Sequence, residues 1–172
     1  SDKGTLFRLL NRAITPMGKR KLRKWVMHPL LKIDEINARL DSVDLLLNDM
    51  QVRDLLETEL LKLPDLERML SRVHSCTLKI QQFNKVITGF EDINTLVEQL
   101  SSSFTLKGAI EHYIREIPES LASVIETWKN AFDRKLAVSE GVVVPNRGVE
   151  PEFDESLDII RGIEDELNEY LQ

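Results

Sequence analysis

Residues 15–30 read TPMGKRKLRKWVMHPL and contain a helix start, a basic face, an aromatic residue and a helix stop. Thr15 can cap a helix with its hydroxyl group, and Pro16 suits the first helical position because the N–H that it lacks would be unpaired there. Pro29 ends the helix because the residue before a proline disfavours helical geometry. Apolar residues at helical spacing predict one buried face, formed by Gly18, Leu22, Trp25 and Val26.

The opposite face of this helix is basic and predicts a contact with something acidic. Its cations are Lys19, Arg20, Arg23 and Lys24. Residues 1–32 carry nine Lys/Arg against one Asp, a net charge of +8, and the other 140 residues carry 14 Lys/Arg against 28 Asp/Glu, a net charge of −14. Such asymmetry marks either a nucleic-acid face or two parts of a protein that attract each other. For this basic face, a contact with phosphate groups and a contact with another domain are therefore both kept as alternatives.

The composition is that of a folded helical protein of one domain, or of two small helical subdomains that share a core. The chain has 172 residues, of which 42% are apolar and 30% charged, with only 7 Gly and 6 Pro. Cys76 is the only cysteine, which excludes a disulfide framework and a cysteine-based metal cluster. No apolar run approaches the roughly 18 residues of a membrane span, so no membrane partner is expected.

The apolar periodicity predicts an all-α, multihelical fold with a brief β or turn element near residues 142–148. We expect a linker at Ser101–Ser103, and in helix 34–48 one apolar stripe that includes Leu46 beside Ile36, Leu40, Val43 and Leu47. The predicted helices span residues 5–12, 15–28, 34–48, 51–61, 64–74, 79–100, 106–115, 119–137 and 153–172. The corresponding organisation is a helical core over 1–137, a connection over 138–152 and a long helix over 153–172.

The last helix is acidic and carries an apolar seam, which predicts a partner helix. The seam consists of Phe153, Leu157, Ile160, Ile163, Leu167 and Leu171. The pattern has neither a glycine cap nor a proline stop before Gln172, so we expect the natural helix to continue.

The sequence predicts no enzymatic centre, no metal site and no cofactor site. His28, His74 and His112 have no His or Cys neighbour at ligand spacing. Cys76 lies two residues from His74, but nothing in the sequence supplies an oxyanion site, so a packed thiol is the expectation. Gly18 followed by Lys19 lacks the pattern of a phosphate-binding loop.

Three motifs, in family order, resemble the core (lever) domain of the MutS family of DNA mismatch-repair proteins. The first is T-x-x-G-x-R-x-L-(R/K)-x-W-x-x-x-P-L, met by Thr15, Gly18, Arg20, Leu22, Arg23, Trp25, Pro29 and Leu30. The second is the DLER-x-L-x-R helix within LPDLERMLSRVHS, residues 63–75. The third is VVVPNRGVEPEFDESLD, residues 142–158, which resembles the turn before the ascending lever helix. Within the family, the amino-acid sequence most resembles that of a fungal larger subunit of the MutSα heterodimer.

The resemblance implies a structural part that couples an ATPase domain to a DNA clamp in recognition of mismatches and small insertion/deletion loops. It implies a nuclear parent protein that binds ATP and Mg, with its ATPase site and its clamp outside this chain. The implied partners are mismatched double-stranded DNA, the smaller MutSα subunit, and the connector, clamp and ATPase domains. Leu22, Trp25, Leu66 and Leu70 should form core. Phe153-Asp154-Glu155 fits the letters of the family's mismatch-reading Phe-x-Glu, but it lies in the wrong domain and is rejected.

The alternative is a helical module that binds nucleic-acid backbone directly through its basic helix, using Lys19, Arg20, Arg23 and Lys24. Salt-dependent affinity for DNA would distinguish it from the structural part.

Overall fold

A computed structural model describes residues 5–171, and within them the chain forms α-helices joined by short connections. The helices are α1 (Leu6–Leu10), α2 (Pro16–Met27), α3 (Ile33–Asn48), α4 (Met50–Lys62), α5 (Leu66–His74), α6 (Ile80–Ser103), α7 (Gly108–Arg115), α8 (Leu121–Asn130), α9 (Arg134–Ser139) and α10 (Pro151–Tyr170). The all-α class is therefore confirmed. Residues 1–4 and 172, which belong to the predicted core and to the predicted last helix, lie outside the described part.

Two predicted elements differ from the structure. Ser101–Ser103 is the last turn of α6 and not a linker, because serine hydroxyls can bond back to the helix itself: Ser102 Oγ donates to the Glu98 carbonyl at 2.7 Å. The predicted helix 119–137 is broken into α8 and α9. Asp133 starts the second helix by accepting the backbone N–H groups of Lys135 and Leu136 at 2.8 and 3.0 Å.

The β element near residues 142–148 is smaller than a strand. In the described residues, β pairing is confined to one antiparallel bridge between Phe132 and Pro145. Two backbone hydrogen bonds flank it, from Asp133 N to the Val144 carbonyl at 2.9 Å and from Asn146 N to the Ala131 carbonyl at 3.0 Å. The segment is thus tied to the junction of α8 and α9.

Helix α6 is the centre of the fold. Helices α4, α5, α8 and α9 pack against it, and α3 packs against α4 and α7. One buried cluster joins α3, α4 and α6 through Leu45, Val52, Leu96 and Leu100. A second joins α6 to the α8–α9 region through Ile87, Phe132 and Ala137, and beside it Phe83 meets Trp128 edge to face with ring centroids 5.6 Å apart.

The chain exposes far more surface than a compact protein of its mass. Its accessible surface is 13,009 Å², whereas a compact monomer of 19.8 kDa exposes roughly 8,600 Å². The excess comes with long apolar faces that no other part of the described chain covers, as on α3 and α10. None of the described helices combines the length and apolar character needed to cross a membrane.

The prediction of four core residues is correct only in part. Leu66 is buried and Leu22 is half-buried, but Trp25 and Leu70 retain 36% and 42% of their exposure, so the prediction of core burial is wrong for these two. Helix α2 buries none of its residues, and its side chains contact the neighbouring helices through Arg20 with Asp65 and through Trp25 with Arg39. Leu66 lies at the start of α5 and is buried, whereas Leu70, one turn further on, stays open to solvent.

Candidate functional site

Helix α2 begins with a side-chain cap that requires a glycine beside it. Thr15 Oγ1 accepts the backbone N–H of Gly18 at 3.1 Å. A Cβ atom on Gly18 would lie only 2.8 Å from that same oxygen. The threonine and the glycine of the first motif therefore act together to start the helix.

Arg20 joins the first motif to the second. Its guanidinium donates to both carboxylate oxygens of Asp65, at 2.8 and 2.7 Å, and from Nε to Glu67 at 2.9 Å. Asp65 also caps α5 by accepting the backbone N–H of Arg68 at 3.4 Å. We call the group formed by Arg20, Asp65 and Glu67 the Arg20 clamp. Because of it, the guanidinium of Arg20 is engaged by carboxylates of the same helical core.

The clamp shifts the pKa values of both partners. Hydrogen bonding from Arg20 holds the pKa of the Asp65 carboxyl below its usual range, against the opposing effect of desolvation. The hydrogen bonds to Asp65 and Glu67 raise the pKa of Arg20 still further above its usual range. Both groups are therefore charged at neutral pH.

Trp25 is a contact point between α2 and the neighbouring helices. The guanidinium carbon of Arg39, on α3, lies 4.0 Å from the centroid of the Trp25 ring. Lys21 Nζ lies 6.0 Å from that ring and 5.9 Å from the ring of Tyr113 on α7. The tryptophan is thus held by cations on its faces, which explains why it keeps its position without being buried.

The remaining predicted cations face solvent. Lys19, Arg23 and Lys24 are exposed and form no ion pair within residues 5–171, although Arg23 lies 6.0 Å from the ring of Phe7. Lys24 and Lys21 line an open groove of about 580 Å³, which also borders Leu60 of α4. Arg20 borders the same groove but is bonded to Asp65 and Glu67, whereas the other three predicted contact residues form no ion pair in the described residues.

A second arginine cluster connects α9 to α6. Arg134 donates from Nε to Asn84 at 2.6 Å, from Nη1 to Glu91 at 2.7 Å and from Nη2 to Thr88 at 2.8 Å. The side chains of Arg134 and Glu91 are each 25% exposed. We call the four residues the Arg134 clamp. Sequence reasoning missed it, although Asn84, Thr88 and Glu91 follow one another at spacings of four and three and so share one face of α6.

The turn before α10 is hydrogen-bonded on both sides. Towards α8, Asn146 Nδ2 donates to the carbonyl of Asn130 at 2.7 Å. Towards α10, Arg147 pairs with Asp158 at 2.8 Å, and the backbone N–H of Gly148, which has φ +90°, donates to Asp154 at 2.7 Å. A path of polar contacts therefore runs from α6 through the Arg134 clamp, then through the backbone of the α8–α9 junction, which is hydrogen-bonded to this turn, and on to the base of α10.

Asp154 belongs to the rejected Phe153-Asp154-Glu155 letters, and in the structure its carboxylate caps this turn. The other chemically reactive side chains form no assembled centre in the described residues. His112 pairs with Glu116 at 3.2 Å on an exposed surface, Cys76 is exposed, and residues 5–171 contain no group of His, Cys, Asp or Glu side chains placed to hold a metal.

Taken together, these observations define a helical domain in which one arginine clamp joins the first two motifs, a second ties α9 to α6, and the turn beyond it leads to a long helix with an uncovered seam. The family profile of MutS domain III matches residues 1–171, and the chain belongs to that family.

Relatives extend the assignment. The chain is 54% identical over 171 residues to the DNA mismatch repair protein MSH6 of Saccharomyces cerevisiae, covering 99% of the chain and 14% of that protein. It is 31% identical over 206 residues to Msh6 of Homo sapiens, covering 100% of the chain and 15% of that protein. It is 32% identical over 165 residues to MutS of Methanosarcina acetivorans, covering 92% of the chain and 18% of that protein.

The chain thus spans about a seventh of the length of these MSH6 relatives. The sequence-based resemblance to the MutS family, and within it to a fungal larger subunit of MutSα, is confirmed.

Proposed function

We propose that the chain is the core (lever) part of a DNA mismatch-repair protein and couples an ATPase domain to a DNA clamp in recognition of mismatches and small insertion/deletion loops. The observation that carries this proposal is the polar path from α6 to α10. It joins the packed core to a helix whose apolar seam is open to solvent, as a coupling element requires. The match to MutS domain III and the names of the relatives supply the process.

The mechanism is mechanical. Helix α6 has 24 residues and α10 has 20, so they extend about 36 and 30 Å at 1.5 Å per residue. A rearrangement at one end of such a rod displaces the other end, provided that the joint between the rods holds its geometry. The Arg134 clamp and the turn at Asn146–Gly148 are this joint. The two ends of this pair of helices are then coupled, because a contact made at either end favours one of the same two arrangements of the helices.

The domain organisation follows from this role. Residues 1–137 form the core, 138–152 the connection, and 153–172 the start of the lever helix, which leads to a clamp outside this chain. The parent protein is a nuclear, DNA-dependent ATPase that uses ATP and Mg, and it acts with a smaller MutSα subunit on mismatched double-stranded DNA. The connector, clamp and ATPase domains of that parent cover the faces that this chain leaves exposed.

A chimera tests the proposal. The segment of yeast MSH6 aligned with this chain is replaced by the chain itself in cells that lack their own MSH6, and the spontaneous mutation rate is measured. We expect the rate to return towards the wild-type value, and a chimera with Arg134→Met to restore it less well at equal expression. A chimera that is expressed at the normal level and leaves the mutation rate at that of the null strain would refute the proposal.

The second candidate function is direct binding of nucleic-acid backbone by α2. It is favoured by the exposure of Lys19, Arg23 and Lys24 without ion pairs in the described residues. Fluorescence anisotropy of matched and G·T-mismatched duplexes, at low and at physiological salt, separates the two candidates. Weak binding that ignores the mismatch and disappears with salt supports the coupling function. Tight binding that is lost on neutralising these three residues together with Arg20 supports the second.

A further inference from the structure

Residues 5–30 hold α1 and α2 and are packed less tightly than the rest of the domain, and we call them the α1–α2 arm. None of residues 7–30 is buried, and the apolar side chains among them are at most half-buried, as at Leu22. In the described chain the first buried side chain is that of Ser42 on α3, and neither apolar cluster of the core contains a residue of the arm. Burial of apolar surface therefore holds the core together but contributes less to the docking of the arm.

The side-chain contacts that dock the arm on the core each depend on a charged group. The Arg20 clamp ties α2 to the start of α5, and its arginine and aspartate side chains are 32% and 19% exposed. The guanidinium of Arg39 lies 4.0 Å from the ring centroid of Trp25, and Lys21 Nζ lies 5.9 Å from that of Tyr113. Water competes for such groups, so these contacts hold the arm more weakly than a buried apolar interface would.

The connection between α2 and α3 has the features of a hinge. His28 leaves the helical region, with φ −130° and ψ 77°, and Leu31 is 91% exposed. Residues 29–31 form no hydrogen bond with any other residue of the described chain. A change of backbone angles at this connection therefore moves the arm and leaves the contacts of the core in place.

We propose that the α1–α2 arm is a conformational device that opens from the core as one unit about residues 28–31 and closes again, while the core stays folded. The Arg20 clamp and the contacts of Arg39 and Lys21 form the latch that sets how often it opens. Separate opening follows from the scarcity of buried apolar contacts in the arm. The inference stands on these contacts and does not depend on the proposed function, so its failure is distinct from that of the yeast chimera.

Hydrogen–deuterium exchange of the 172-residue chain, read by mass spectrometry on peptides from α2 and α6, tests the inference. Helix α2 has 12 residues, a length at which a helix alone in water is marginal, so its amides exchange whenever the arm opens. Amides of α6 near Leu96 and Leu100, in the first apolar cluster, exchange when the core itself unfolds. We expect the α2 amides to exchange roughly tenfold faster or more, relative to their unstructured rates, than these α6 amides.

Two substitutions on opposite sides of the latch should release the arm and leave the exchange of α6 unchanged. Arg20→Met removes the guanidinium of the clamp and should speed the exchange of α2 by roughly tenfold, since hydrogen bonds between partly shielded charged groups are lost. Arg39→Met removes the cation from the ring of Trp25 and should speed it by about two- to fivefold. Because Arg39 lies on α3, this second variant leaves the helix propensity of α2 as it is.

Lys19→Met is the matched control, because Lys19 is an exposed cation of α2 whose side chain forms no ion pair or ring contact within the described residues. It should leave the exchange of both helices unchanged. Three results in which α2 does not depend on the latch would overturn the inference: wild-type exchange as slow as that of α6, wild-type exchange as fast as that of an unstructured peptide, or no more acceleration by Arg20→Met and Arg39→Met than by Lys19→Met. Acceleration of α2 and α6 by the same factor would also overturn it, because the arm would then open only with the core.

Discussion

Replacing Arg134 with methionine removes the guanidinium of the Arg134 clamp and keeps most of the aliphatic side chain. In the native chain this group donates to Asn84, Thr88 and Glu91. A hydrogen bond to a charged group contributes about 1.5–3 kcal/mol when both partners are shielded. Here the ion pair is a quarter exposed, so water replaces part of what is lost. We therefore expect the free energy of unfolding to fall by about 2 kcal/mol in total, and not by the sum of the individual bonds.

The measurement is urea unfolding followed by circular dichroism, analysed as a two-state transition. A loss of about 2 kcal/mol corresponds to a melting temperature lower by about 4–8 °C for a protein of this size. The double substitution with Glu91→Gln should show a coupling energy of roughly 1 kcal/mol, since the two side chains are in direct contact.

Lys135→Met is the matched control, because Lys135 is the next residue of α9, is exposed, and contributes only its backbone N–H to the cap of the helix. It should change the free energy of unfolding by less than about 0.5 kcal/mol, as is usual for a surface position. If Arg134→Met were no more destabilising than Lys135→Met, the joint between α9 and α6 would not depend on the clamp. The proposed coupling between α6 and α10 would then have no rigid joint.

Three further predictions concern the other contacts. Because Arg20 keeps the pKa of Asp65 below its usual range, the stability that Asp65 adds is complete above about pH 4 and is lost as the pH falls further. The difference in urea midpoint between the wild type and Asp65→Asn should therefore be constant from pH 5 to 8 and shrink below about pH 4. Gly108→Ala should lower the free energy of unfolding by about 2 kcal/mol or more, because Gly108 has φ +64° and a Cβ there would overlap the backbone of α3. Its control is Gly162→Ala, on open helix surface, which should be neutral or stabilising in the same urea titration. Trp25→Ala should cost about 1–2 kcal/mol in thermal melts, less than the 3–5 kcal/mol of a fully buried aromatic, since the ring is more than a third exposed.

The parts of the fold that the sequence predicted well are those fixed by local chemistry. Helix α2 begins after Thr15 and ends before Pro29, as the cap and the proline require. The same holds for the first turn of α5, where Asp65 caps the helix. Hydroxyl groups, carboxylates and prolines act within four residues of themselves, so no knowledge of the rest of the fold is needed.

The parts that could not be predicted depend on which face of a helix the chain itself covers. In α3, periodicity predicts one stripe for Leu40, Leu46 and Leu47, yet Leu46 packs against the core and the other two face solvent. Periodicity shows that residues share a face, but it does not show what that face meets. The Arg134 clamp was missed for a related reason, because its partners lie 43–50 residues away along the chain.

The base of α10 has a consequence for how the lever works. Helix α10 has no buried residue, and the Arg147–Asp158 pair and the Gly148–Asp154 bond, both exposed, connect its first turns to the preceding turn. An exposed ion pair contributes only about 0–1 kcal/mol. A partner helix that covers Ile160, Ile163 and Leu167 gains roughly 25 cal/mol for each Å² of apolar surface removed from water, which exceeds that value after some tens of Å². A partner helix on the seam therefore outweighs these two contacts in setting the direction of α10, while the Arg134 clamp on α6 and the turn at Asn146–Gly148 hold the point about which it turns.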